Sequence, residues 1–476
     1  MSGAALFIKK DLKISDTQIE ILLGILNLYS LVGSLAAGRT SDWIGRRYTI
    51  VLAAGIFFAG AILMGSATNY AFLMCGRFVA GIGIGYALMI APVYTAEVSP
   101  ATARGFLSSF PEIFINTGIL LGYVSNFAFS HLPLHLGWRL MLGVGAVPSV
   151  FLAVGVLAMP ESPRWLVLQG RLAEAEHVLD RISDTAEEAH LRLAEMKTAA
   201  GIPADATGIV SVPDRNHGAG VWKELFLHPT PAVRRVLLSA VGIHFFQQAS
   251  GIDSVVLYSP HIFEKAGIKG DNAQLGMTVA VGFTKTAFIL VATVLLDRIG
   301  RRSLLLASAG GMVASLLTLG VGLTVADHHG GGKVMWAIGL CFVSVLAYVA
   351  FFSIGLGPVT WVYSSEIFPM RLRAQGVAAG VVVNRVTSGV ITMTFLSLYK
   401  AISIGGSFFL YGGVAAVAWV FFYCCVRETR GRSLEDMGIL FGFSDREKKA
   451  DEEEGKKKEE EVAEDGKGPS PPPAAL

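Results

Sequence analysis

Asp42-Trp-Ile-Gly-Arg-Arg47 and Asp297-Arg-Ile-Gly-Arg-Arg302 are two copies of one motif, each on a short polar joint between long apolar runs. Two more motifs repeat in the same order. Tyr94-Thr-Ala-Glu97-Val-Ser-Pro100-Ala-Thr-Ala-Arg104 is matched at identical spacing by Tyr363-Ser-Ser-Glu366-Ile-Phe-Pro369-Met-Arg-Leu-Arg373. Glu161-Ser-Pro-Arg164 is matched more loosely by Glu428-Thr-Arg430. The copies stand 255 to 269 residues apart, so the chain holds two parallel halves of similar length. Parallel repeats of membrane helices with a site at their interface are a transporter architecture.

Composition agrees with an all-α membrane protein. Of 476 residues 53% are hydrophobic and 16% charged, with a mean hydropathy of +0.55, too apolar for one soluble core. The 54 glycines suit close helix packing in lipid. A net charge of +2 with both signs interspersed excludes the basic footprint of a nucleic-acid partner. Cys75, Cys341, Cys424 and Cys425 lie in apolar stretches without a C-x-x-C pair and read as buried thiols, not as metal ligands or disulfides.

About 20 apolar residues cross a bilayer. By that rule the first half, 1–160, carries spans near Ile21 to Gly38, Thr49 to Ala67, Phe72 to Thr95, Gly105 to Phe129 and Trp138 to Met159. The second half, 236–440, carries six, near Val236 to Ile262, Leu275 to Leu296, Ser303 to Val325, Met335 to Val362, Gly376 to Tyr399 and Phe408 to Val426. Residues 161–235 read as a polar linker with helical patches at Leu172 to Ile182 and Glu187 to Thr198. Residues 441–476 alternate Lys with Glu, end in prolines and are expected to be disordered. Basic joints share the parity of linker and tail, which places both in the cytoplasm by the positive-inside rule. That orientation leaves Met1 outside, beside Lys9, Lys10 and Lys13, with no preceding helix to export them.

Six further stretches make a resemblance specific. Gly38-Arg-x-Ser-Asp42-x-x-Gly-Arg-Arg47, Arg77-x-x-x-Gly-x-Gly-x-Gly85, Pro160-Glu-Ser-Pro-Arg-Trp-Leu166, Gln247-Gln-x-Ser-Gly251, Gly357-Pro-x-x-Trp361 and Glu428-Thr-Arg-Gly-Arg-Ser-Leu434 resemble the sugar porter signatures of the major facilitator superfamily. Ser109 to Asn116, His244 to Asp253 and Val383-Asn-Arg385 are most similar to the plant polyol and monosaccharide proton symporters, a plasma-membrane group. The resemblance implies two six-helix bundles, of which this reading counts eleven helices, and proton-driven transport of polyols (sorbitol, mannitol, xylitol, inositol) and monosaccharides by alternating access. No cofactor is implied beyond the coupling proton, and no oligomeric state. Family members carry a first helix with a proton-linked Asp ahead of the Ser-Gly-Ala that here occupies Ser2 to Ala4, so that helix is expected to be absent and Arg77 to lack its partner. A passive uniporter and a non-transporting sugar sensor are the alternatives.

A polyhydroxylated ligand exchanges water hydrogen bonds for protein ones, so its site needs amides and carboxylates beside an aromatic face. Gln247, Gln248, Asn384 and Trp361 supply amides and an aromatic; the rival roles are interhelical bonding for the amides and core packing for Trp361. Where the hexose porters usually have neutral groups, this chain has Glu112, Asp253 and Arg385. Buried charge must be paired or neutralised, so Arg385 is expected to face one or both acids, and Asp253 or Glu112 to carry the proton. Lys285 is intramembrane and receives no role.

The duplicated motifs read as a cytoplasmic gate of Asp42, Arg46, Glu97, Arg104, Glu161 and Arg164, with Asp297, Arg301, Glu366, Arg373, Glu428 and Arg430 in the other half. Their ion pairs would bridge neighbouring helices and break as the halves rock; positive-inside topology with helix capping is the rival account. Enzyme readings have no support. Gly81-x-Gly83-x-Gly85 lies inside an apolar run, as helix packing requires, and His328-His329 is weak evidence for a metal.

Overall fold

Long apolar runs separated by polar joints dictate helices that satisfy their own backbone, and the structure, a computed structural model, is helical throughout its ordered elements. It describes residues 2–99, 104–200, 202–203, 206, 208–210, 223–227, 229–268, 270–328, 335–368 and 372–429. The first half comprises α1 (Ser2–Leu12), α2 (Asp16–Ile44), α3 (Arg46–Gly65), α4 (Tyr70–Val98), α5 (Arg104–Phe129), α6 (Leu134–Gly143) and α7 (Ala146–Leu157). A linker follows with α8 (Pro163–Leu168), α9 (Leu172–Ile182) and α10 (Ala186–Ala200). The second half comprises α11 (Pro231–Ala249), α12 (Ile252–Lys265), α13 (Asp271–Ile299), α14 (Arg301–His328), α15 (Met335–Ile354), α16 (Leu356–Ile367), α17 (Arg373–Ile402) and α18 (Ile404–Cys425).

Among the described residues, nine helices or joined helix pairs are long and apolar enough to cross a membrane. Their outward faces carry large apolar side chains, Leu35, Phe151, Phe283 and Val420 among them, as a lipid-facing surface requires. One element was not expected, and one expectation is corrected. The first half begins with a helix that the length rule could not see: α1 has 11 residues, about 16 Å of rise. It buries Ala4, Ala5, Phe7 and Ile8 in the bundle. Of the four cysteines only Cys341 is buried; Cys75 and Cys424 are exposed on apolar helix faces, because an apolar run can face lipid as well as core.

Three spans are broken, two of them beside the centre of the bundle. Between α11 and α12 the chain turns at Gly251, whose φ of +86° L side chains rarely adopt and where a Cβ would meet the Tyr411 ring at 2.9 Å. Between α15 and α16 it breaks at Gly355, two residues before the expected Gly357-Pro358. Pro358 has no N–H to give, and the Leu356 amide turns to Ser308 Oγ at 3.1 Å. The glycines of α4 serve packing as expected: Cβ atoms at Gly81 and Gly85 would strike Tyr29 and Ser30 of α2, and one at Gly83 the Phe57 backbone of α3. The linker helices share a small core of Trp165, Leu166, Leu172, Leu179 and Leu193. They dock on the first half through Trp165 Nε1 to Asp42 O at 3.0 Å and Arg192 Nη2 to Ser99 O at 3.1 Å.

Between described residues, the hydrogen bonds and ion pairs joining the halves run from mid-bundle to the face opposite the linker. Tyr123 Oη donates to Val256 O at 2.8 Å, Thr286 Oγ1 to Asn116 O at 3.2 Å and Asn27 Nδ2 to Ser388 Oγ at 2.7 Å. Nearer that face, Ser397 binds Glu20, Lys10 pairs with Asp271 at 2.6 Å, and Asp16 bridges Lys9 and Lys400.

Candidate functional site

Beneath this seal a cavity of about 680 Å³ lies between the halves. Gln247, Gln248, Asp253, Glu112, Trp361 and Arg385 all line it, together with Arg77, Asn27 and Lys285. The break at Gly251 ends α11 just past the two glutamines and points the start of α12, with Asp253, at the same space. Gln247 is held on every side: Nε2 donates to Leu356 O at 3.1 Å and Gly357 O at 2.9 Å, both beside the α15–α16 break, and Oε1 accepts from Asn384 Nδ2 at 2.6 Å. Gln248 Nε2 reaches Asn384 Oδ1 at 3.3 Å, and its Oε1 has no partner among the described residues. So Gln247 and Asn384 tie α11, α16 and α17 together, while Gln248, which also lines the cavity, leaves a buried acceptor unpartnered among the described residues. Trp361 stands edge to face against the buried His244, ring centroids 5.2 Å apart.

The charges are arranged differently from expectation. Arg385 donates to its neighbour Asn384 Oδ1, from Nη2 at 2.7 Å and Nε at 3.1 Å, and makes no ion pair with either acid. An acceptor one residue away on the same helix wins over carboxylates across a cavity, and Asp253 is already taken by the Ser388 hydroxyl. Glu112 Oε1 accepts from Asn116 Nδ2 at 3.2 Å. The charges of both acids nonetheless reach Arg385 and Lys285. Lys285 makes no hydrogen bond or ion pair with a described residue, so two acids and two cations share the space without a closed pair. The signal for Lys285 was in the sequence, a cation inside an apolar run; that its run faces this cavity was not. Asn27 and Ser388 were missed outright. They carry a hydrogen-bond chain from the first half to Asp253, and nothing distinguishes them in the sequence from ordinary helix polar groups. Arg77 is buried and makes no ion pair with a described residue; it donates to Leu22 O at 2.8 and 3.1 Å.

At the linker face the repeated motifs build two copies of one corner. Glu161 accepts from the Arg46 and Arg47 amides at 2.9 and 3.1 Å, and Glu428 from the Arg301 and Arg302 amides at 2.9 and 3.0 Å. These amides open α3 and α14, where N–H groups lack helical partners and the dipole favours an anion. Gly45 and Gly300 permit the approach, with φ of +92° and +101°; a Cβ there would lie 2.5 and 2.8 Å from the carboxylates. Arg46 then pairs with Glu97 at 3.1 Å and Asp42 at 3.2 Å, and Arg301 with Glu366 at 2.9 Å. Ser162 and Thr429 hydroxyls complete the match on Glu97 and Glu366 at 2.6 and 2.7 Å. Glu161 and Glu428 are therefore helix caps as well as members of the motif, and the ion pairs bridge helices within each half. Arg164 is exposed. The side chains of Arg104, Asp297 and Arg373, and all of Arg430, lie outside the described residues.

Two parallel helix bundles around a polar cavity, sealed on one face, define a membrane transporter. The family described as "Sugar (and other) transporter" matches residues 4–441, and the chain belongs to it, within the major facilitator superfamily. Polyol transporter 5 of Arabidopsis thaliana is 69% identical over 453 residues, covering 94% of this chain and 84% of the relative. Glucose transporter GlcP of Staphylococcus epidermidis is 33% identical, covering 92% of each chain. Among solved structures, the proton:xylose symporter XylE bound to 6-bromo-6-deoxy-D-glucose superposes with a TM-score of 0.73 at 26% identity, over 92% of this chain and 94% of that one. The protein is an integral membrane transporter of sugars or polyols, not an enzyme.

Proposed function

We propose that the protein is a proton symporter of polyols and monosaccharides in the plasma membrane, with linker and tail in the cytoplasm. The observation that carries this reading is the hydrogen-bond chain from Asn27 through Ser388 to Asp253. It links an ionisable group in the cavity directly to a contact between the halves. Ionised, Asp253 accepts from Ser388 in a charge-assisted bond that fixes the hydroxyl and leaves its oxygen to receive Asn27; protonated, it makes only a weaker neutral bond there, and the tie loosens. Proton binding and the approach of the halves then share one element, which is what coupling requires. Gln248 Oε1 and the carboxylates accept from ligand hydroxyls, Lys285 donates, and Trp361 supplies the face for C–H groups. A flexible linear polyol fits such dispersed donors and acceptors. The sealed face is external on this reading, so the cavity belongs to the cytoplasm-facing half of the cycle.

Uptake of labelled sorbitol into transport-deficient yeast, with and without a protonophore, tests this. Protonophore-sensitive accumulation is expected. Equilibration that a protonophore leaves unchanged would replace symport by passive uniport, and binding without flux would point to a sensor.

A further inference from the structure

Glu20 differs from every other acid on the sealed face. It is 2% exposed, one turn inside the start of α2. Oε1 accepts the backbone N–H of Ser397 at 2.7 Å and Oε2 the Ser397 hydroxyl at 2.7 Å, both from α17 in the opposite half. The neighbouring cations are committed elsewhere. Lys9 of α1 and Lys400 of α17 close on Asp16, and Arg77 of α4 donates to the Leu22 carbonyl one turn deeper. Tyr258 of α12 feels the Glu20 charge and donates its hydroxyl to Thr392 O at 3.0 Å. The charged residues of α3, Arg46 and Arg47, sit at its other end. Glu20 therefore has no ion-pair partner among the described residues, and its charge is held by two donors from across the interface.

Those donors decide what a proton does. An N–H cannot accept, so a proton on Glu20 finds no new acceptor there except the Ser397 hydroxyl, which must then turn round. Two charge-assisted bonds become neutral ones, roughly half as strong. We propose that Glu20 is a proton-binding site whose occupancy weakens the seal between the halves, so that acid on the face opposite the linker favours opening toward that face. The proposal rests on the alternating-access reading above. It assigns to Glu20 control of access, separate from the proton load at Asp253.

The test uses the full chain in lipid nanodiscs, its four native cysteines replaced, with spin labels at the exposed Thr68 and Ala401, one in each half. Neutral buffer is expected to give one short distance and acidic buffer an added longer one. Glu20→Gln is expected to show the longer population in both buffers, raised about fivefold relative to the native neutral sample, the weight of one net hydrogen bond, with no further response to acid. A full acid response in Glu20→Gln would overturn the proposal. Ser397→Ala covers the case of a variant that fails to fold: it keeps the carboxylate and the N–H but drops one donor. It is expected to enlarge the longer population while keeping the acid response, and populations identical to native in both buffers would overturn the proposal. No ligand is needed. An intact acid response in a protein that moves no polyol would defeat the transport reading and leave Glu20 standing; transport without an acid response would do the reverse.

Discussion

Gln247 and Gln248 are adjacent and chemically identical, yet the fold gives them different work. Gln247 satisfies two carbonyls at the α15–α16 break and receives Asn384, whereas Gln248 leaves a buried Oε1 unpartnered among the described residues. Gln247→Ala strands buried groups on two helices and is expected to cost about 1–3 kcal/mol of stability, visible as a lower Tm of the purified protein. Gln248→Ala is expected to leave Tm nearly native and to weaken ligand affinity about tenfold, one strong hydrogen bond in free energy. Equal Tm losses would show that the two amides are one structural unit. At Asp253 the expectation concerns coupling. Asp253→Asn should abolish protonophore-sensitive accumulation while sorbitol exchange across the membrane continues, and Glu112→Gln should retain accumulation, because Asp253 holds the very hydroxyl that meets the other half, whereas Glu112 reaches the inter-half contact only by way of Asn116, whose backbone carbonyl makes it. Accumulation surviving in Asp253→Asn and lost in Glu112→Gln would transfer the role. The charged residues of this site were legible in the sequence as departures from neutral porter positions. Their partners were not: Arg385 turned to its own neighbour, a choice settled by distances of a few ångströms that no residue spacing encodes.

Helix by helix, the sequence spoke clearly wherever length and polarity alone decide. Nine of the eleven expected spans coincide with helices or joined pairs that, among the described residues, are long and apolar enough to cross a membrane, because a bilayer leaves a long apolar segment no other form. It was silent where a helix is short or broken: α1 falls below the spanning length, and the expected span from Val236 to Ile262 ran straight through the turn at Gly251, which a lone glycine in a membrane helix does not announce. The repeated corners carry their own prediction. Glu161 and Glu428 each cap a helix start whose amides lack helical partners, so Glu161→Gln and Glu428→Gln are each expected to cost about 1 kcal/mol. They lie in different halves and share no partner among the described residues, so their effects on unfolding free energy should add. A double variant well outside the sum would mean that the linker face joins the halves through these corners.

For the molecule as a whole, the decisive question is whether the sealed face has to part in each transport cycle. The halves meet there along α2 and α17, and Gly24 lies directly against Gly389 and Met393. A Cβ on Gly24 would lie 3.0 Å from the Met393 amide nitrogen and against the Met393 side chain, so cysteines at the two positions would be direct neighbours across the interface. Gly24→Cys combined with Met393→Cys therefore ties the halves on the face where they already touch and leaves the cavity beneath unaltered. If transport requires that face to open, oxidation should stop uptake almost completely and a reductant should restore it. Sorbitol should still bind the oxidised protein in detergent, since the cavity retains its linker-side surroundings. Each single cysteine variant should transport under both conditions, which separates a lock from local damage. Full uptake by the oxidised double variant would mean that ligand reaches the cavity by a route that leaves α2 and α17 together, and rocking of two rigid halves would not describe this transporter.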